Sequence, residues 1–169
     1  MIVVEADVSE EWDSSTDWAQ LADAAVRAAV AQSEVPGLLT SGLAAEVSVR
    51  FISDDEVKAL NAAWRGKDKA TNVLSFPMAE PEQLASLART DGGEALLGDI
   101  VLAHGVCAGE AADKGVGACA HAAHLVVHGM LHLLGYDHER GEGEAEAMEE
   151  VERRALAAMG VADPYEIQH

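Results

Sequence analysis

An eleven-residue segment, HGMLHLLGYDH at positions 128–138, carries the strongest structural signal in the chain. His128 and His132 are four residues apart, so on a helix both imidazoles leave the same face, about one turn from each other. Gly135 comes three residues after His132, at the position where a residue with left-handed backbone conformation can end the helix and reverse the chain. His138, three residues later, can then return to the two imidazoles. Three convergent imidazoles with an open fourth position are typical of catalytic zinc sites, because structural sites usually close with four protein ligands. The segment therefore predicts a helix that ends in a metal site.

The three histidines and the glycine match the metzincin pattern His-Glu-x-x-His-x-x-Gly-x-x-His. Gly129 stands where those proteases carry the glutamate that acts as general base, so peptidase activity is a poor expectation. His124 lies one turn upstream on the same face, where a supporting or substrate-facing role and an ordinary hydrogen-bonded histidine both fit. His121 is expected to be structural. Asp137 can orient an imidazole or serve as a turn carboxylate.

Outward from this segment, alternating or β-branched runs predict strands, and apolar residues at helical spacing predict helices. The predicted strands cover residues 2–8, 46–52, 72–76 and 96–103. The predicted helices cover residues 18–31, 53–63, 105–113, 118–134 and 143–159. Residues 78–94 are expected to form a polar loop with one helical turn near Leu84 and Leu87. Strands come early and helices late, so we expect an α+β fold in one domain covering residues 1–169. Its small mixed sheet of about four strands packs with about five helices, one of them a zinc-protease-like metal helix.

A short basic loop, Arg65-Gly66-Lys67-Asp68-Lys69, stands out in a chain with few cations. A solvated surface loop is the ordinary explanation of such a cluster. The planar guanidinium of Arg65 can, however, hold a phosphate through two parallel hydrogen bonds, and Lys67 and Lys69 add positive charge beside it. These three residues become candidate substrate-binding residues only together with a family resemblance of the segment that contains the loop.

The composition limits what the protein can bind. The 169 residues hold 30 carboxylates against 11 Lys and Arg, a formal net charge of −19, which excludes a uniformly basic nucleic-acid-binding surface. Seven aromatic residues leave little material for a base-stacking platform. Cys107 and Cys119 match no disulfide framework, no segment is apolar enough for a membrane span, and the first residues do not resemble a signal peptide. We therefore expect a cytoplasmic protein.

Three segments resemble the YbeY endoribonucleases, also called rRNA maturation factors. The first is the histidine segment 128–138, and the second is LNAAWRGKDKATNVLSFP at residues 60–77. The third, LGDIV at residues 97–101, is similar to the central strand of that family. The resemblance covers about residues 45–160, and one departure is Ala70, where the family commonly has proline.

The resemblance implies a single-strand-specific, metal-dependent endoribonuclease that acts in 16S rRNA 3′-end maturation and ribosome quality control. It implies one zinc ion per chain on His128, His132 and His138, which act in catalysis together with Arg65. Nickel, copper and iron also bind sites of three imidazoles. The expected partners are single-stranded RNA, 16S rRNA in particular, proteins of the small ribosomal subunit and a ribosome-assembly GTPase, with no DNA and no membrane.

Two other functions remain open on the sequence alone: a non-enzymatic ribosome assembly factor with a structural metal, and a metallo-hydrolase of peptides or small molecules. The charge distribution adds a further expectation. Residues 137–154 hold eight carboxylates against three arginines, mostly on one helix that we expect to be exposed. The cations that can contact phosphates are confined to Arg65, Lys67, Lys69 and the metal. We therefore expect weak binding of naked RNA with a shallow salt dependence, and we expect protein partners to bring the protein to its substrate.

Overall fold

A four-stranded mixed sheet with helices on both faces forms the centre of the computed structural model, which describes residues 1–137 and 141–165. The strands are β1 (Ile2–Val8), β2 (Ala44–Ile52), β3 (Val73–Pro77) and β4 (Glu94–Ala103). The α-helices in these ranges are α1 (Trp18–Gln32), α2 (Asp54–Arg65), α3 (Pro81–Leu87), α4 (His104–Lys114), α5 (Ala118–Leu133) and α6 (Glu142–Ala158). A 3-10 turn at Pro36–Leu39 follows α1. The sheet order is β1-β2-β4-β3, with β1, β2 and β4 parallel and β3 antiparallel to β4, so β3 is an edge strand.

The predicted α+β class and the four predicted strands are confirmed. The start of α2 shows why local sequence was sufficient there. Ser53 accepts a hydrogen bond from the Glu56 backbone N–H at 3.2 Å, and its hydroxyl donates to the Glu56 carboxylate at 3.1 Å. The side chain thus satisfies a backbone donor that the first turn of a helix leaves without a partner.

The prediction for residues 78–94 was incomplete, because the described ranges contain a sixth α-helix, α3. Pro81 occupies its first turn, where a missing N–H costs nothing. Glu80 and Gln83 form reciprocal capping hydrogen bonds, and Leu84 is buried. A helix of seven residues offers only two turns of periodicity, which is too little for the pattern to stand out from a polar loop.

Both faces of the sheet are covered, which produces two apolar clusters. On one face Val47, Val49 and Phe51 of β2 pack with buried residues of α1, α5 and α6 in the larger cluster. On the other face α2 covers a smaller cluster: Ile52, Val57, Leu74, Val101 and Ala103. Helix α2 does not extend over the far end of β3, and a groove is left open there.

Helix α5 packs closely against the sheet at Gly129, where there is no room for a side chain. A Cβ atom at this position would lie 2.8 Å from Ile100 Cγ2 and 3.1 Å from Ser75 Oγ. The Ser75 hydroxyl donates to the Gly129 carbonyl oxygen at 3.2 Å, which ties α5 to β3. The residue that replaces the protease glutamate is therefore also the one that lets α5 approach β3 and β4.

Within residues 1–137 and 141–165, no single helix is both long and apolar enough to cross a bilayer. Helices α4 and α5 meet the length and composition only together, across a bend of 115°.

Candidate functional site

A cleft of about 710 Å³ lies between the C-terminal half of α5 and the edge strand β3. His128 and His132 line it from α5, Arg65 from the end of α2, and Ser75 from β3. The structure therefore gathers residues from three elements that are far apart in the sequence. Tyr136 and Asp137, which follow α5, line the same cleft, and the start of α3 contributes to its rim.

The two imidazoles of α5 converge as their spacing predicted. Their Nε2 atoms lie 3.0 Å apart, with the rings nearly perpendicular at 83°. The chain turns directly after them: Gly135 has φ +94°, which favours glycine, and the Tyr136 N–H donates to the Leu131 carbonyl at 3.0 Å. This turn ends α5 and returns the chain to the cleft.

A buried carboxylate holds the far side of the first imidazole. Oε1 of Glu152, on α6, lies 2.5 Å from Nδ1 of His128, and the Glu152 side chain is fully buried. The expectation that the acidic run 137–154 lies mostly on an exposed helix is therefore wrong at Glu152. Its neighbours Met148 and Leu156, one turn before and one turn after, are buried as well, so Glu152 belongs to the inward face of α6.

The surroundings of Glu152 keep it ionised. Burial by itself raises the pKa of this carboxyl, but interactions with His124 and His128 outweigh burial and lower the pKa to about 2. The Tyr165 hydroxyl donates to Glu152 Oε2. Burial and this hydrogen bond together raise the pKa of Tyr165, so the phenol stays protonated. A fixed carboxylate at Nδ1 selects the His128 tautomer in which Nε2, facing the cleft, keeps its lone pair.

The other histidines of α5 are separated from the cleft lining. His124 Nε2 lies 3.3 Å from the Tyr165 hydroxyl and 3.7 Å from Glu152 Oε1, which agrees with a supporting position. His121 is buried, with Nε2 2.8 Å from Glu110 Oε1, and burial lowers the pKa of His121. His121 is therefore a structural histidine in this fold.

The basic loop after α2 divides into two parts. Arg65 lines the cleft, whereas Lys67 and Lys69 are exposed and stand outside the described lining. The loop is shaped by Asn61, whose side-chain amide donates to the Lys69 carbonyl at 2.9 Å. The roles predicted for Lys67 and Lys69 stay predictions. The third predicted ligand, His138, lies outside the described residues.

The cleft residues fit a divalent transition metal. Within residues 1–137 and 141–165 no three His, Cys, Asp or Glu side chains form a complete ligand set, but two of the three predicted ligands converge. Nitrogens 3.0 Å apart can both bind one ion at the bond length of about 2.0–2.1 Å that imidazole takes with zinc. The carboxylate at Nδ1 is the outer contact that metal-bound histidines require.

Sequence reasoning missed Glu152 and Tyr165. Asp137 was the candidate carboxylate for orienting an imidazole, and it does lie in the cleft lining, but Nδ1 of His128 contacts Glu152. A signal for Glu152 did exist. Positions 148, 152 and 156 follow one helical stripe, and a glutamate on an apolar stripe points to a buried charge with a partner.

Comparisons with known proteins show the family to which the chain belongs. The family model described as endoribonuclease YbeY matches residues 5–160. A protein named endoribonuclease YbeY from Novosphingobium aromaticivorans is 52% identical over 166 residues, covering 98% of this chain and 97% of its own. One of the same name from Rhizorhabdus wittichii is 53% identical over 167 residues, covering 99% and 98%. The solution structure of TM1509 from Thermotoga maritima has the same fold, with a TM-score of 0.56, 21% identity and coverage of 98% and 100%. This chain therefore belongs to the endoribonuclease YbeY family.

Proposed function

We propose that this protein is a metal-dependent endoribonuclease that cleaves single-stranded RNA and acts in maturation of the 16S rRNA 3′ end. The observation that carries the proposal is the convergence of His128, His132 and Arg65 on one cleft, in a chain whose family is named for RNA cleavage. Gly129 supports the choice of RNA over peptide, since it leaves the helix without the general base of zinc proteases.

Each cleft residue has a definite task in this proposal. His128 and His132, together with His138, hold the metal through imidazole nitrogens. Zinc, or another divalent transition metal, supplies Lewis acidity toward a phosphoryl oxygen and makes a water molecule more acidic when bound there. Arg65 binds the scissile phosphate with its guanidinium fork and stabilises the negative charge that grows on it in the transition state.

The biological setting belongs to the same proposal. We place the protein in the cytoplasm, with one catalytic domain over residues 1–169 and a role in ribosome quality control. Its proposed partners are proteins of the small ribosomal subunit and a ribosome-assembly GTPase. The net charge of −19 supports the need for protein partners, because the protein as a whole repels RNA.

The test is cleavage of an end-labelled RNA, offered either single-stranded or annealed to its complement. We expect cleavage of the single strand alone, loss of cleavage after dialysis against a chelator, and recovery when zinc is restored. A preparation that has lost its metal and still cleaves RNA at the full rate would overturn metal dependence. Cleavage of casein with no cleavage of RNA would overturn the proposal as a whole.

The contact between Glu152 and His128 leads to a separate prediction. Glu152→Gln keeps the side-chain shape but removes the charge that orients His128, so we expect the zinc affinity to fall about 10- to 100-fold. Competition with a chromogenic chelator measures the affinity without reference to cleavage. Glu150→Gln is the matched control, because Glu150 lies on the same helix and pairs with Arg154 at the surface. Equal zinc affinity in the two variants would exclude the positioning role of Glu152.

A further inference from the structure

A second groove, of about 520 Å³, lies on the opposite face of the sheet from α5. Apolar side chains of α2 and the β3 region form most of its wall, and polar groups come from the strands beside them. The lining residues that matter below are Arg50, Trp64, Arg65, Met78 and Asp99. Of the residues in this lining, Arg65 alone has a role in the proposed reaction.

The groove contains the most exposed aromatic side chain of the described residues. Trp64, in the last turn of α2, is 73% exposed, whereas Trp12 and Trp18 are each only 5% exposed. Met78 beside it in the lining is 56% exposed. The sequence composition had argued against a base-stacking platform, but a single presented indole is sufficient to stack one base.

The groove is continuous with the histidine cleft around the edge of the sheet. Arg65, Ser75, Pro77 and Met78 line both. Because β3 is the edge strand, a chain that leaves the cleft can pass over β3 and enter the groove without crossing a covered surface. A flexible single strand can follow such a path, whereas a rigid duplex cannot bend around one strand edge.

The charge of the groove contrasts with that of the protein. The lining contains two guanidinium groups, those of Arg50 and Arg65, and one carboxylate, that of Asp99, although the chain as a whole carries a net charge of −19. Among residues 1–137 and 141–165 neither arginine has an ion-pair or hydrogen-bond partner for its guanidinium. Two guanidinium groups that lack such partners can bind an anionic group, and the exposed indole in the same groove can stack on an aromatic ring. A nucleotide carries both features.

Resting on the proposed function, we propose that this second groove holds a nucleotide of the single-stranded RNA substrate near the scissile bond. The base stacks on Trp64, and Arg50 binds a phosphate beyond the one held by Arg65. Asp99 supplies a hydrogen-bond acceptor for an amino group on the base edge. The net negative charge of the protein then restricts RNA contact to this path, which explains how an acidic protein selects a single strand.

Binding is tested with the full chain carrying His128→Ala, which prevents cleavage, and a single-stranded RNA of about eight nucleotides, within the usual site size of single-strand-binding proteins. Since Trp12 and Trp18 are buried, quenching of the indole fluorescence reports Trp64. We expect RNA to quench Trp64 in the protein that retains it. Fluorescence anisotropy of an end-labelled RNA gives the Kd for every variant, including those without this indole, and we expect Trp64→Ala to increase that Kd about 5- to 150-fold. Trp64→Phe should retain most of the affinity, and Arg50→Gln should lower it.

The matched control is Val116→Ala, which removes another exposed apolar side chain, outside both grooves. An RNA Kd for Trp64→Ala equal to that of the control would overturn the proposal, and would leave the groove as a protein-docking surface.

Cleavage kinetics with His128 intact separate the two proposals. Trp64→Ala should raise KM and leave kcat within about twofold, as expected for loss of ground-state binding. If the parent protein binds RNA through Trp64 but does not cleave it, the proposed function fails and the nucleotide site stands.

Discussion

His128→Ala is expected to reduce RNA cleavage at least about a thousandfold, because each stabilising donor lost from a transition state costs about 10²–10³ in rate and this change also removes a metal ligand. Bound zinc should fall in parallel, which metal analysis of the purified protein measures. The variant should remain folded. His128 lies on the cleft wall, and its loss removes one partner of the buried Glu152 carboxylate, which keeps the hydrogen bond from the Tyr165 hydroxyl. The cost in the free energy of unfolding should be about 3 kcal/mol, because the group left with fewer partners is charged.

His104→Ala is the matched control for this prediction. It removes an imidazole from α4, outside the described cleft lining, where the ring packs against Trp12 with centroids 5.4 Å apart. We expect this variant to keep its zinc content and its cleavage rate. Full cleavage by His128→Ala, when a mock preparation without the protein is inactive, would exclude the role of His128.

Arg65→Glu is the second change for which we expect near-complete loss of activity. It places a negative charge where the scissile phosphate binds, so cleavage should fall at least about a hundredfold. The fold should be unaffected, within about 0.5 kcal/mol, because Arg65 is exposed. Single-turnover cleavage and thermal unfolding measure the two effects separately. Arg65→Lys should recover only part of the rate, since a lysine carries the charge but not the planar fork of donors.

Lys58→Glu is the control that keeps the change in charge and moves its position. Lys58 lies two turns earlier on the same helix and pairs weakly with Asp68 at 4.0 Å. It alters the net charge by the same amount as Arg65→Glu. If both variants lose activity equally, the loss comes from general repulsion of RNA, and Arg65 has no specific role.

Most of the secondary structure could be predicted because its causes are local. The strand β2 alternates buried and half-buried residues, and α2 begins at a cap that four consecutive residues define. Helix α3 was expected only as a single turn near Leu84, because so short a helix depends on Leu84 reaching the core. That dependence is tertiary, and no window of sequence contains it.

The candidate site was predictable where its residues are neighbours on one helix. His128 and His132 converge because a spacing of four residues on a helix leaves no alternative. Arg65 was chosen on family resemblance and not from spacing. Its position in the same cleft depends on where α2 ends relative to β3, which only the packing of α2 on the sheet determines.

The acidic composition has a different meaning once the structure is known. The net charge of −19 argued for weak RNA binding with a shallow salt dependence, and a salt titration of RNA binding tests that expectation. One of these acids, Glu152, is buried against the His128 imidazole and is therefore not part of the acidic surface. The few exposed features suited to RNA, Trp64 and Arg65, are concentrated at the edge of the sheet.

By itself, the sequence determined the α+β class, the ends of most elements and the pair of histidines on α5, because each of these depends on residues within one or two helical turns or one strand. Only the tertiary structure decided that Glu152, 24 residues after His128, contacts its imidazole. It also decided that Arg65 lines the histidine cleft and that Trp64 lines a second groove, which shares part of its lining with the cleft. The physical reason is that such contacts depend on how helices pack against the sheet. Packing depends on the shape and volume of the whole core, which the spacing of residues along the chain does not specify.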